Sequence, residues 1–265
     1  MNQKNSKSIS DSSQKSLFSN MSRSRKKISF SRIATFLRCP YEYNYTFINK
    51  IENMKRCGPK IGLGISLHAA LRDFYKIKSV DDRTLNTLLL LLKRNWSTRD
   101  FKNTHEEQTL IEKAQNILTK FYLHNDHTKT PSYIEQRFEA KVNDLIFVGI
   151  IDRIDKIEDN YYEIIDYKLE DYLKSEIDNL QMTFYYIGCK YGLGIDIKTF
   201  TFYILETNRK KNVVLTPGEI EKNMRRIQSC ITEIDSTNVF IPKINALCEN
   251  CGIKSTCPAH RDTNI

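Results

Sequence analysis

The spacing of apolar residues along the chain changes period once, near Pro131. Ahead of it, Ile33, Phe36 and Leu37 recur at helical spacing behind Ser29 and Ser31, either of which can cap a helix start. Pro40 opens a second, aromatic helix through Tyr43, Tyr45 and Phe47. Residues 61–76 predict a further helix, and two more are expected near 82–96 and 105–124, so the front half reads as helical. Beyond Pro131, residues 132–142, 145–157 and 161–168 alternate apolar and polar side chains, with Asn143-Asp144 and Asp159-Asn160 as turns. A helix at about 175–191, strands at 198–207 and 211–215, and a long helix from Pro217 to about 235 follow. Helices, a three-strand meander, a helix and two more strands predict an α/β fold, a mixed central sheet flanked by helices.

Length and composition narrow the class without naming it. The 265 residues suffice for one buried core with a helical appendage. The longest apolar run, Leu88 to Leu92, is far short of the roughly 18 residues of a membrane span, and the N-terminus has no signal-like apolar segment. An intracellular, cytoplasmic protein without membrane contact is expected, with organellar or nuclear targeting by the N-terminal tail left open. That tail, residues 1–27, is rich in Ser, Asn, Gln and Lys and is expected to be disordered. It holds seven Lys/Arg against Asp11 alone, and so most of the net charge of +9. The charge therefore supports a polyanionic partner only weakly.

The strands carry the chemistry. In FVGIIDRIDKI, period two sets Asp152 on one face with Val148, Ile150 and Ile154, where an unpaired carboxylate is expensive. In YYEIIDYK, Asp166 and Lys168 are two apart and project together, and a hairpin brings Asp152 near Asp166. Two close carboxylates repel unless a cation lies between them, and hard oxygen ligands suit Mg²⁺ or Mn²⁺. Lys168 beside them would orient or help deprotonate an attacking water. Gln181 and Tyr185 share a helix face, as do Gly64 and His68. Asp155 lies on the opposite strand face from Asp152 and is expected not to be a ligand.

Seven cysteines in such a chain argue against a disulfide framework. Cys57, Cys189 and Cys230 are scattered and read as small buried residues. Cys248, Cys251 and Cys257 lie within ten residues, and Cys39 can complete a set of four if the two ends of the chain meet. Spacing alone fits a Cys₄ zinc site or an iron–sulfur cluster.

Gly149-Ile150-Ile151-Asp152, Asp166-Tyr167-Lys168 and Gln181-x-x-x-Tyr185, with Gly64-Ile65-Ser66-Leu67-His68 upstream, resemble the ordered motifs of RecB-like PD-(D/E)XK nucleases. The middle motif carries Asp where Glu is commoner. The resemblance implies a restriction-endonuclease-like fold over residues 28–265, with a helical insertion at about 80–130. It implies that His68, Asp152, Asp166 and the backbone carbonyl of Tyr167 bind the catalytic Mg²⁺ or Mn²⁺, with Glu135 as a further candidate. Lys168 would be catalytic, while Gln181 and Tyr185 would position the nucleic-acid backbone and the site's network. The cysteines resemble the iron–sulfur subgroup, which includes CRISPR-associated adaptation nucleases, the AddB nuclease domain and exonuclease V. That likeness implies a [4Fe–4S] cluster on Cys39, Cys248, Cys251 and Cys257, stapling the chain ends, with Zn²⁺ as its rival. The implied activity is cleavage of DNA, single-stranded and from an end, in repair, replication or CRISPR adaptation. The alternative is an inactive nuclease fold that binds or assembles on DNA, but that predicts a broken motif and none is broken.

Overall fold

The computed structural model describes residues 26–50, 58–98, 101, 103–159, 161–170 and 175–261. Most of the expected tail and Cys57 lie outside the described residues. Lys26 and Lys27, read as tail, instead open strand β1 (Lys26–Ser29). Helix α1 (Phe30–Arg38) follows, then α2 (Pro40–Tyr43), which continues as a π-helical turn to Ile48. Helices α3 (Pro59–Tyr75), α4 (Leu85–Arg94) and α5 (Thr104–His124) complete the front half. The sheet strands are β2 (Tyr133–Val142), β3 (Leu145–Glu158), β4 (Tyr161–Lys168), β5 (Asp196–Ile204) and β6 (Arg209–Val213). Helix α6 (Ser175–Ile187), extended by a π-helical turn to Leu193, separates β4 from β5. Helix α7 (Pro217–Ser236), two short 3₁₀ turns and α8 (Pro258–Arg261) close the chain.

Strand β3 organises the sheet. One of its edges pairs with β2 along most of its length, antiparallel. Its other edge is divided between β1, parallel at Leu145–Val148, and β4, antiparallel from Arg153 onward. No described strand pairs with residues 149–152 on that side, so the sheet opens there. Beyond β4 lie β5, parallel, and β6, antiparallel.

Both faces of the sheet are covered. Ile33 and Phe36 of α1, Leu180 and Phe184 of α6 and Ile227 and Ile231 of α7 pack on one face with Phe147, Ile164 and Phe202. Leu67, Leu71 and Phe74 of α3, Leu88 of α4 and Leu118 and Phe121 of α5 pack on the other with Ile165, Tyr167 and Tyr203. The five-leucine run therefore belongs to an amphipathic helix: Leu88 and Leu92 are buried, while Leu90 is exposed. Among the described residues no helix is long and apolar enough to cross a membrane.

This double cover corrects one expectation. Strand β4 does not alternate inside and outside; Ile164, Ile165, Asp166 and Tyr167 are all buried, as in a strand sandwiched between helices. The last two strands sit about two residues earlier than predicted. Their turn ends on Asn208, whose left-handed φ of 53° asparagine tolerates.

Two glycines admit one ring. Phe138 lies between β3 and the end of α6, and a Cβ at Gly149 would come within 2.6 Å of it, one at Gly188 within 2.5 Å. The ring meets Tyr185 edge-on at 6.5 Å, so this slot also locates α6. Replacing Gly149 by Ala should force the ring out of place. A loss of roughly 1–3 kcal/mol in denaturant unfolding is expected.

Candidate active site

The site forms where the sheet opens. Asp152 stands at the last residue of β3 before its ladder with β4 begins. There its Oδ2 accepts a hydrogen bond from the Tyr167 amide at 3.0 Å, in place of a strand partner. His68, from α3 on one face of the sheet, brings Nδ1 to 3.3 Å from the same oxygen. From α6 on the other face, Gln181 Nε2 donates to Asp166 Oδ1 at 3.0 Å and to the Tyr185 hydroxyl at 2.8 Å. Tyr185 donates to Asp166 Oδ1 at 2.9 Å. Lys168 Nζ donates to Gln181 Oε1 at 3.1 Å and lies 2.6 Å from Asp166 Oδ2. All six side chains singled out in the sequence thus come together, carried by four elements.

The electrostatics follow from burial. Asp166 is buried, and desolvation, reinforced by the Asp152 charge, raises its pKa despite Lys168. Burial also opposes ionisation of Asp152, yet the His68 hydrogen bond and charge, the Tyr167 amide and Lys168 together hold its carboxyl below the usual range. Desolvation disfavours the charged forms of Lys168 and His68, but Asp166 keeps the former's pKa above its ordinary value and Asp152 does the same for the latter. Burial, reinforced by the two carboxylates, keeps the Tyr185 hydroxyl protonated far above its ordinary range.

Metal fit can be read from these donors. Asp166 Oδ2 is buried 2.6 Å from the Lys168 ammonium, an ion pair with hydrogen-bond character. Two carboxylates and an imidazole make a donor set suited to Mg²⁺ or Mn²⁺. Among the described residues, no three His, Cys, Asp or Glu side chains are already drawn into a closed metal-binding group. Glu135 lines a pocket with His68, Asp152 and Tyr167. Its φ of 49° is left-handed, a strained backbone for a non-glycine residue, and nothing in the alternation of β2 signals it. Asp155 lies outside the cluster: the buried Arg153 grips it through two hydrogen bonds of 2.7 and 2.6 Å, and the guanidinium rests 4.0 Å over the Tyr75 ring. Sequence reasoning set Asp155 aside but did not find this clamp.

A second pocket is lined by Cys39, Cys248, Cys251 and Cys257 together. Backbone amides already donate to two of the sulfurs, Lys243 to Cys39 at 3.4 Å and Asn245 to Cys248 at 3.3 Å. Asn245 Nδ2 also donates to the Arg38 carbonyl, tying the end of the chain to α1. Cys189 and Cys230 are elsewhere, buried in the core, where desolvation pushes both thiols up to about 12.

The model of the PD-(D/E)XK nuclease superfamily matches residues 27–258. One of the subunits of the ATP-dependent helicase/deoxyribonuclease of Streptococcus agalactiae, in serotypes Ia and V, is 27% identical over 154 residues, 54% of this chain. The aligned region covers only 14% of each of those relatives. A solved structure from Eubacterium rectale, provisionally named an exonuclease, aligns with a TM-score of 0.48 and 12% identity over 91% of this chain and 89% of that one.

The Gln181 network sets an energetic expectation. Gln181→Ala leaves Lys168 and Tyr185 short of a partner in a buried place, and should destabilise the metal-free protein by about 1–3 kcal/mol. A double-mutant cycle with Tyr185→Phe should show coupling of at least roughly 0.5 kcal/mol, whereas independent sites would add.

Proposed function

Because the chain belongs to the PD-(D/E)XK nuclease superfamily, we propose that it is a divalent-metal-dependent deoxyribonuclease acting on single-stranded DNA from an end, in repair, replication or CRISPR adaptation. The observation that carries the reading is the meeting of Asp152, Asp166, Lys168, His68, Gln181 and Tyr185 where the sheet opens. The name of the Streptococcus agalactiae relatives supports DNA as substrate.

His68, Asp152 and Asp166, with the Tyr167 carbonyl, would hold Mg²⁺ or Mn²⁺. Bound there, the cation supplies Lewis acidity toward a phosphoryl oxygen and makes a coordinated water easier to deprotonate. The protein supplies placement and charge. Lys168, held between Asp166 and Gln181, presents its ammonium where it can orient the attacking water and offset charge growing on phosphorus. Gln181 and Tyr185 keep Asp166 and Lys168 at fixed separation, so the attacking and stabilising groups need no rearrangement. Tyr185 remains a hydrogen-bond donor at working pH, since its hydroxyl does not ionise there.

Cys39, Cys248, Cys251 and Cys257 are proposed to hold a [4Fe–4S] cluster. Four soft donors lining one pocket and amides directed at two sulfurs support a thiolate site. The group would join residue 39 to the end of the chain, closing a loop whose entropy is worth up to roughly 5 kcal/mol by the relation used for disulfides.

Two experiments test these assignments. Full-length protein with Mg²⁺ or Mn²⁺ should degrade linear single-stranded DNA, spare the circular form and lose activity in EDTA. Lys168→Ala should lower the rate by a factor of about 10² or more; a variant that cuts at the wild-type rate contradicts the mechanism. Protein purified without oxygen should be brown, and Cys39→Ala should be colourless and less stable. A colourless wild-type protein containing stoichiometric zinc would replace the cluster by its rival.

A further inference from the structure

Helix α3 contains a glycine that neither packing nor backbone conformation requires. Gly149 and Gly188 each face a ring that a Cβ would strike. At Gly64 a Cβ would meet no heavy atom of the described residues within 4 Å, and its φ is not among the positive ones. In the middle of a helix such a residue is destabilising relative to alanine. Its position suggests what the loss secures. Gly64 lies one turn before His68 on the same helix face, and helical side chains lean toward the N-terminus, so the imidazole leans toward this bare turn. One turn earlier, Lys60 is paired with Glu170, two residues beyond Lys168. Next to Gly64, the apolar side chain of Ile65 is 58% exposed. Among the described residues the result is a strip of open helix backbone with an apolar shoulder, bounded at one end by His68 and at the other by an ion pair tied to the end of β4.

We propose that Gly64 is a specificity-determining position: the bare turn of α3 between His68 and the Lys60–Glu170 pair is the passage for the DNA strand being cut, with Ile65 carrying the apolar face of a sugar or base. A strand entering there reaches His68 and Asp152 along the helix, and any side chain at position 64 narrows its path. The inference rests on the nuclease reading. It adds a contact outside the metal and proton machinery, where only clearance matters.

The test is a size series, Gly64→Ala, Gly64→Ser and Gly64→Leu, in the full chain, beside wild type and Lys168→Ala. Gly64→Ala should unfold at the same or a higher temperature than wild type, because alanine is the better helix former. Activity should move the opposite way. KM for single-stranded DNA should rise with side-chain size, and kcat/KM should fall on the order of a hundredfold for Gly64→Leu, the scale expected when a substrate is displaced by about 1 Å. Folded Gly64→Leu protein with wild-type KM overturns the inference, and so does a Gly64→Ala protein of lower melting temperature, which would mean the position is packed. Wild-type protein that does not cut DNA, or Lys168→Ala that still does, counts against the nuclease reading instead.

Discussion

The site is arranged around two carboxylates, Asp152 and Asp166, brought close enough that the charge of Asp152 helps raise the pKa of the buried Asp166 even with Lys168 beside it. A ladder continued one pair past Arg153 and Ile165 would set them directly opposite one another. Strand β3 instead gives one edge to β1 and then to β4, and the gap between the two is where Asp152 accepts the Tyr167 amide. The cover on both faces follows from the same constraint. Helix α6 must be close enough to deliver Gln181 and Tyr185 to Asp166, and α3 close enough to deliver His68 to Asp152. Phe138, wedged between Gly149 and Gly188, sets the first of those approaches. The core thus contributes to the chemistry by fixing where two helices meet an open sheet.

Much of this was legible in the chain because each part has a local signal. Period two on β3 and β4 fixed which residues project together, and i, i+4 spacing did the same for Gln181 with Tyr185 and for Gly64 with His68. Elements were found for that reason, to within a few residues. What the chain did not disclose depends on partners remote in sequence. Strand β1 is four residues beside a polar tail, and only its pairing with Leu145–Val148 makes it a strand. The burial of Asp166 on a strand with helices on both faces was invisible to an alternation rule. So was the left-handed backbone of Glu135, which the alternation of β2 does not signal. The Arg153–Asp155–Tyr75 clamp has the same origin, since it links β3 to α3 across a face.

The cysteines show a different kind of legibility. Their spacing identified four sulfurs as one set, and the structure brings all four to one pocket. Spacing reports which residues can meet, while the identity of the bound group depends on electronic preference that spacing does not encode. That pocket and the carboxylate site lie on the same frame: Cys39 ends α1, and α1 packs on the sheet face that carries α6. A group binding the sulfurs would hold that frame from the chain ends inward.

The central claim is that the repulsion between Asp152 and Asp166 is relieved by a divalent cation, and metal-linked thermal unfolding tests it most directly. The melting temperature of wild-type protein should rise steadily with Mn²⁺ concentration, as it must for a ligand that binds only the folded state. In Asp166→Asn, which removes one of the two carboxylates and leaves Lys168 without its counter-charge, the metal-free protein should be less stable and the Mn²⁺ response should be small or absent. A wild-type melting temperature indifferent to Mn²⁺, or an equal response in Asp166→Asn, would contradict the account.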